Sequence, residues 1–479
     1  MTVTKRIPTG IPELDAVLRG GLLDGRIHLI EGRPGTGKTT IGMRFLIAAA
    51  AEGQGSLYVT LSETEEELHA TAASHGWSLD GIRLFAPDLL EAQEFHEQTI
   101  MLPSDAELSQ LVDAIAGEVE RSGATRVVID SMAEIRLLAH DSAHYRRQII
   151  TLRNRLARAN ATVILLDDLT AMNHAFELQS AVHGAITLEQ RDRPYGAGYR
   201  TLKIVKLRGA DYQSGWHDFA IERDEVLIFP SLIAEEHRRD YQPGELLSGV
   251  AGLDDIVGGG IIDGTSTMIV GPAGVGKTTL ALQYALAAVR VGDKAAYFVL
   301  DEAEMTLRSR MIARFGIHDE TGEPRGLLIT RINPSRISAG AFIWRVRRSV
   351  EDDGVRIVVI DSINSYLDLV REESTLLLQM NELFSYLANM GVIAVIVGAH
   401  SAALDTTREP DALSIITDNV IALRFHEAHG IMDKAISVMK KRHGRHSHEV
   451  REFRLVEDGI EVGNRVDDAG PDNATRLAH

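Results

Sequence analysis

The 479 residues contain no cysteine, only three tryptophans and 5% aromatic residues. Without cysteine, disulfides, Cys-ligated zinc and iron–sulfur clusters are excluded. Long apolar runs are missing as well. The amino-terminal MTVTKRIPTG has no apolar signal region, and no uninterrupted apolar segment approaches the length of a membrane span. The expected compartment is the cytoplasm, with no membrane among the partners. Positive charge is also in deficit: the net charge is −18, with 25 basic against 36 acidic residues in 1–245 and 25 against 32 in the remainder. Acidity in both halves disfavours nucleic acid as the main partner. What the chain does have is a 44% apolar fraction, enough to build two globular domains with full cores.

Glycine is plentiful where it matters. Gly271–Thr278 reads GPAGVGKT and satisfies G-x-x-x-x-G-K-[ST], directly after the apolar run Thr267–Val270 and ahead of the helical pattern TLALQYALAAVRVG. Gly271, Gly274 and Gly276 permit a tight loop whose N–H groups turn inward on a polyphosphate. Ala273, Val275 and Thr279 complete that cradle. Lys277 is placed to reach the outer phosphates, Thr278 to ligate Mg²⁺, and the following helix points its N-terminal dipole at the same charge. The pattern recurs 239 residues earlier as GRPGTGKT, with Gly32, Pro34, Gly35, Thr36, Gly37, Lys38, Thr39 and Thr40 in the corresponding places. GIPELDAVLRGGLLDG from Gly10 aligns without a gap to GVAGLDDIVGGGIIDG from Gly249, again 239 apart. The chain is a tandem duplication of two nucleotide-binding domains, expected as 1–245 and 246–465, with a polar, disordered tail over 466–479.

Each copy continues in the same order. A short strand, SLYVTL or AAYFVL, ends at Ser62 and Glu63 or at Asp301 and Glu302, where a carboxylate would project beside the outermost phosphate. Charged, turn-rich stretches follow, and then the buried runs RVVIDS and RIVVIDS. These end in Asp130 and Asp361, carboxylates suited to hold Mg²⁺ from the second shell. Further apolar strands, TVILLDD and VIAVIVGAHS, alternate with helices, which implies an α/β fold built on a mainly parallel sheet with ligands at its carboxyl edge. Both copies close on β-type segments, TLKIVKLRG carrying Lys206 and Arg208, and AISVMKKRHG carrying Lys440 and Arg442.

The repeated loop, the strand-end acids, the Ile-Asp-Ser strand end and the K-x-R segment together resemble the KaiC family of tandem RecA-type ATPases, over about residues 7–462. The resemblance implies two RecA-like domains, a homohexameric double ring with ATP and Mg²⁺ between subunits, and a KaiB-like or signalling protein as a further partner. It implies Glu63, Asp301 and Glu302 as catalytic carboxylates. Lys206, Arg208, Lys440 and Arg442 match residues that reach the neighbouring subunit's nucleotide. The family's second domain is also an autokinase that modifies a serine and an adjacent threonine; in ALSIITDNV, Ser414 keeps the serine and Ile415 replaces the threonine. Other departures are Ser62, which costs the first acidic pair one carboxylate, Asp301 in place of a glutamate, and a tail too short for a KaiA-type activator.

Two other classes compete with an ATPase and autokinase acting in signalling or timing. A RecA/RadA-type DNA-dependent ATPase shares the loop, but the acidity and the lack of a basic arm oppose it. An ATP-assembled scaffold with little turnover fits the weakened first acidic pair, for that half only. No H-R-D loop or D-F-G segment of the eukaryotic protein kinases is present. His443, His446 and His448 lack a matching carboxylate or cysteine pattern for a metal and read as a polar loop.

Overall fold

The computed structural model describes residues 5–87, 103–139, 141–169, 175–193, 196–316, 324–367, 373–399, 412–428, 431–457 and 459–466. The expected disordered tail lies, beyond residue 466, outside the described residues. Two compact units make up the chain, Met1–Ser231 and Leu232–His479. The segment between Leu232 and the expected seam at residue 245 packs on the second unit. There Ala234 N donates to Glu382 Oε1 (2.6 Å), Asn389 Nδ2 to Ala234 O (2.9 Å), and Tyr241 OH to Ala388 O (3.0 Å).

Each unit is an α/β layer structure around a nine-stranded sheet. In the first the strand order is Val226–Phe229, Trp216–Ile221, Tyr199–Leu207, Gly184–Arg191, Ile27–Gly32, Thr162–Asp168, Arg126–Asp130, Ser56–Thr60, Ile82–Phe85. From Gly184–Arg191 onward in that order the neighbours run parallel, and the first four strands form antiparallel pairs. The second unit repeats this arrangement strand for strand around Ser266–Gly271, from Gly459–Arg465 at one edge to Leu327–Arg331 at the other. The central strands are fully buried because helices cover both faces, which is why they read as unbroken apolar runs rather than as alternation. In the first unit, apolar residues of one face pack with helix Lys38–Ala51, and those of the other with helices Pro103–Ser122 and Ser142–Arg158. Within each unit the parallel strands end at one edge of the sheet, where that unit's phosphate loop begins.

Candidate active sites

Each loop leaves its strand at Gly32 or Gly271 and enters a 14-residue helix, Lys38–Ala51 or Lys277–Arg290, through a left-handed glycine, Gly37 (φ 103°) or Gly276 (φ 118°). A side chain at either would be strained and would also collide with its surroundings. A Cβ on Gly37 would lie 2.5 Å from Ile221 Cδ1, and one on Gly276 2.8 Å from Phe453 Cε1. The glycine conformation thereby fixes the path of the loop backbone into the helix. Lys38 Nζ donates to the carbonyls of Gly32 (3.0 Å) and Arg33 (3.1 Å), and Lys277 Nζ to those of Gly271 and Pro272 (both 2.9 Å). Burial pulls the Lys277 pKa down, against the opposing pull of Asp361 and Asp301.

Asp130 and Asp361 end the strands two places from the loop strand. Thr39 Oγ1 donates to Asp130 Oδ2 (2.8 Å), and Tyr58 OH to the same oxygen (2.6 Å). In the second unit Tyr297 OH donates to Asp361 Oδ2 (2.7 Å). Burial raises the Asp361 pKa, hydrogen bonds from Tyr297 and Thr278 lower it, and Glu302 and Asp301 add to the rise. The following peptide bonds, Asp130–Ser131 and Asp361–Ser362, are both cis. A threonine hydroxyl held against a carboxylate at the head of a phosphate loop is a hard oxygen donor set. It fits Mg²⁺, which takes one or two protein groups and completes its shell with phosphate and water.

The acidic positions differ between the copies. Among the described residues Glu63 makes no ion pair: its main chain is tied to Thr60 Oγ1, and its carboxylate oxygen Oε2 is buried with no hydrogen-bond partner there. Burial, then Asp130, then Glu67 raise its pKa. Glu302, by contrast, is clasped by both guanidinium nitrogens of Arg310 (2.7 and 3.0 Å), and Asp301 accepts hydrogen bonds from the hydroxyls of Ser362 and Ser365. Asp301, Glu302, Arg310 and Ser362 line a cavity of about 360 Å³ with Lys277 and Asp361. The sequence makes the first pair look the weaker one. In the structure the single carboxylate of the first copy is the less encumbered one.

The K-x-R cations stand at the opposite edge of the sheet from their own loops. Lys206 pairs with Ala185, which pairs with Leu29, three residues or about 10 Å of strand before Gly32. Lys206 Nζ donates to Gln179 O, and Arg208 Nη2 to Ser180 O (2.9 Å), at the end of helix Ala175–Ala181. Lys440 likewise reaches the carbonyls of Ser414 (3.0 Å), Ile415 (3.0 Å) and Thr417 (2.5 Å), and Arg442 Nη2 that of Ile415 (2.8 Å). Ser414 therefore lies in helix Ala412–Ile416, beside these cations and away from its own phosphate loop.

Four further features escaped the sequence reading. Tyr58 and Tyr297, 239 residues apart, hold Asp130 and Asp361. Arg200 and Lys434, each six residues before the K-x-R lysine, do reach their own loops, donating to Gly35 O (3.3 Å) and Gly274 O (3.2 Å). Arg310 is the third, and Asp168, in contact with Lys38 Nζ, the fourth. The shared spacing within each repeat was the signal for the first two.

The family profile described as "ATPase: KaiC" matches residues 7–233 and again 246–467. The chain is 28% identical over 476 residues to the circadian clock oscillator protein KaiC of Thermostichus vulcanus, covering 96% of this chain and 89% of that one. It is 26% identical to KaiC 1 of Synechocystis sp., with the same coverage of both chains, and 24% identical to the circadian clock protein KaiC3 of that organism, over 96% of this chain and 92% of the relative. With both halves matched and both phosphate loops built on the same strand order, this chain belongs to the KaiC family of ATPases.

Proposed function

We propose that the protein binds Mg²⁺·ATP at both loops, hydrolyses it, and assembles with copies of itself into a ring whose sites are completed across the subunit boundary. The observation that carries this reading is the repeated arrangement of loop lysine, aspartate and tyrosine at both strand edges, with a carboxylate beside each. Mg²⁺, when bound, neutralises charge on the phosphate oxygens. Thr39 and Thr278 would ligate it, and Asp130 and Asp361 would hold it from the second shell. In the first site Glu63 takes a proton from the attacking water while Lys38 holds the outer phosphates. Light scattering with and without Mg²⁺·ATP tests assembly: the expected result is a ring several times the protomer mass, and a protomer unchanged at saturating ATP overturns it. The output is signalling or timing, read by a KaiB-like or other signalling protein. The timing part of that extension rests on the names of the relatives, which are circadian clock proteins.

The same reading assigns serine autokinase activity to the second unit, with Ser414 as acceptor. Its support is that Lys440 binds the Ser414 carbonyl, so a nucleotide reaching Lys440 and Arg442 from another subunit is brought to this serine. The hydroxyl oxygen would attack the outermost phosphorus, its proton passing to a carboxylate of the donor site as ADP leaves. Incubation with γ-labelled ATP followed by phosphopeptide mapping is expected to place label on Ser414. Lys277→Ala should abolish it, and Lys38→Ala should reduce it only through assembly. An assembled, hydrolysing ring without protein-bound phosphate would leave an ATPase alone.

A further inference from the structure

The two phosphate loops are near copies, yet the carboxylate at the end of the adjoining strand is present in only one. In the first unit the register pairs Gly32 with Asp168; in the second it pairs Gly271 with Ala399. An ammonium has three protons to donate. Both lysines give two of them to the first two carbonyls of their loop, and among the described residues only Lys38 gives the third to a carboxylate, Asp168 Oδ1.

The position of Asp168 decides what it competes with. Its strand, Thr162–Asp168, lies between the loop strand and the strand ending in Asp130, so Asp168 stands on the side of Lys38 that faces the Thr39–Asp130 pair. That is the metal side of the loop, where the outermost phosphate must sit. The strand end cannot easily swing aside. Leu169 N donates to Gly32 O (3.1 Å), and the preceding Asp167, turned to the opposite face by strand alternation, is completely buried in contact with Arg136. Lys38 is itself mostly buried, with 8% of its side chain exposed, so the pair is not a loose surface contact.

We propose that Asp168 is a specificity-determining residue of the first site, which it biases toward the nucleoside diphosphate over the triphosphate. Its carboxylate holds the lysine proton that the outermost phosphate needs. A triphosphate must displace that carboxylate or lie against it, like charge to like charge; a diphosphate lacks the group that meets it. The second site, with Ala399 at this register, carries no such bias. This rests on the reading that both loops bind nucleotide.

The test is equilibrium titration of the full chain with fluorescent ATP and ADP analogues and Mg²⁺. Lys38→Ala and Lys277→Ala, each of which removes one class of site, assign the classes. Asp168→Asn is expected to raise the ATP-to-ADP affinity ratio of the first class about tenfold and leave the second unchanged. Ala399→Asp should lower the ratio of the second class by a similar factor, and it decides the matter alone if Asp168→Asn does not fold. Ratios unchanged within about twofold, or ATP and ADP affinities shifted equally as a merely structural role would shift them, overturn the proposal. Absence of any nucleotide binding by the wild-type chain would instead remove the reading on which it stands.

Discussion

Replacing Glu63 by Gln, together with Asp301→Asn and Glu302→Gln, is expected to leave ATP binding intact and to lower turnover by about 10²- to 10⁴-fold. The reason is proton transfer: the attacking water must lose a proton as its oxygen bonds to the outermost phosphorus, and an amide cannot accept it. The loss should be unequal between the sites. Glu63 has a buried carboxylate oxygen without a hydrogen-bond partner among the described residues and a raised pKa, which makes it a stronger base than an ordinary glutamate. Glu302 is held by Arg310 in a two-pronged ion pair, and Asp301 by two serine hydroxyls. Glu63→Gln alone should therefore remove the larger part of phosphate release, and the double substitution in the second unit the smaller. The pH dependence has a definite sign. Protonation silences the base, so first-site turnover should fall as pH drops through a midpoint above the ordinary glutamate range, and Glu63→Gln should erase that limb. A carboxyl whose pKa rises on folding costs stability once it ionises, so the neutral glutamine should not destabilise the fold. Unchanged phosphate release in the triple variant, measured at saturating ATP, would remove these carboxylates from the chemistry.

The sequence made some of this legible and hid the rest for definite reasons. The loops, Thr39, Thr278, Asp130 and Asp361 are readable because a phosphate cradle needs those residue types at fixed spacing, and the offset of 239 repeats them. Tyr58 and Tyr297 share that offset, but a tyrosine in a buried strand looks like any β-former until its hydroxyl is seen on an aspartate. Arg200 and Lys434 sit 234 apart, as do the K-x-R pairs, and only the antiparallel direction of their strands separates them. The first residues of each such strand lie at the loop edge and the last at the far edge. Arg310 lies eight residues past Glu302, about two helical turns, and folds back on it only because the intervening chain turns from strand end to helix Glu304–Phe315. In TVILLDD the two aspartates look alike, yet alternation sends Asp167 to Arg136 and Asp168 to Lys38. The division between the units also depends on packing that composition does not encode, since Ala234 and Tyr241 fasten residues before 245 to the second unit.

Arg208→Ala and Arg442→Ala are expected to slow hydrolysis on the order of 10³-fold or more, the effect of losing an arginine that stabilises charge on a transferring phosphoryl group. In the isolated chain both arginines serve another purpose. With their lysine neighbours they donate to the last carbonyls of short helices, where a cation contributes about 0.3–1 kcal/mol. That contact alone predicts a small loss of stability and no change in turnover, so the two roles separate cleanly. Strand direction favours the larger effect being exerted on another subunit. Lys206 and Arg208, and equally Lys440 and Arg442, lie at the amino edge of their sheets, a strand's length from their own phosphate loops, while Arg200 and Lys434 occupy the near positions. Mixing two inactive variants distinguishes the possibilities. A Lys38→Ala, Lys277→Ala protomer supplies intact arginines, and an Arg208→Ala, Arg442→Ala protomer supplies intact loops. If the sites are shared, equal mixing should regenerate activity at about a quarter of the interfaces, where a sound loop faces a sound arginine, as closed head-to-tail rings require. If each arginine serves its own loop, no mixture recovers turnover above the sum of its parts. Arg→Lys should rescue the helix contact but not the rate, because an ammonium lacks the planar fork that engages two phosphate oxygens together.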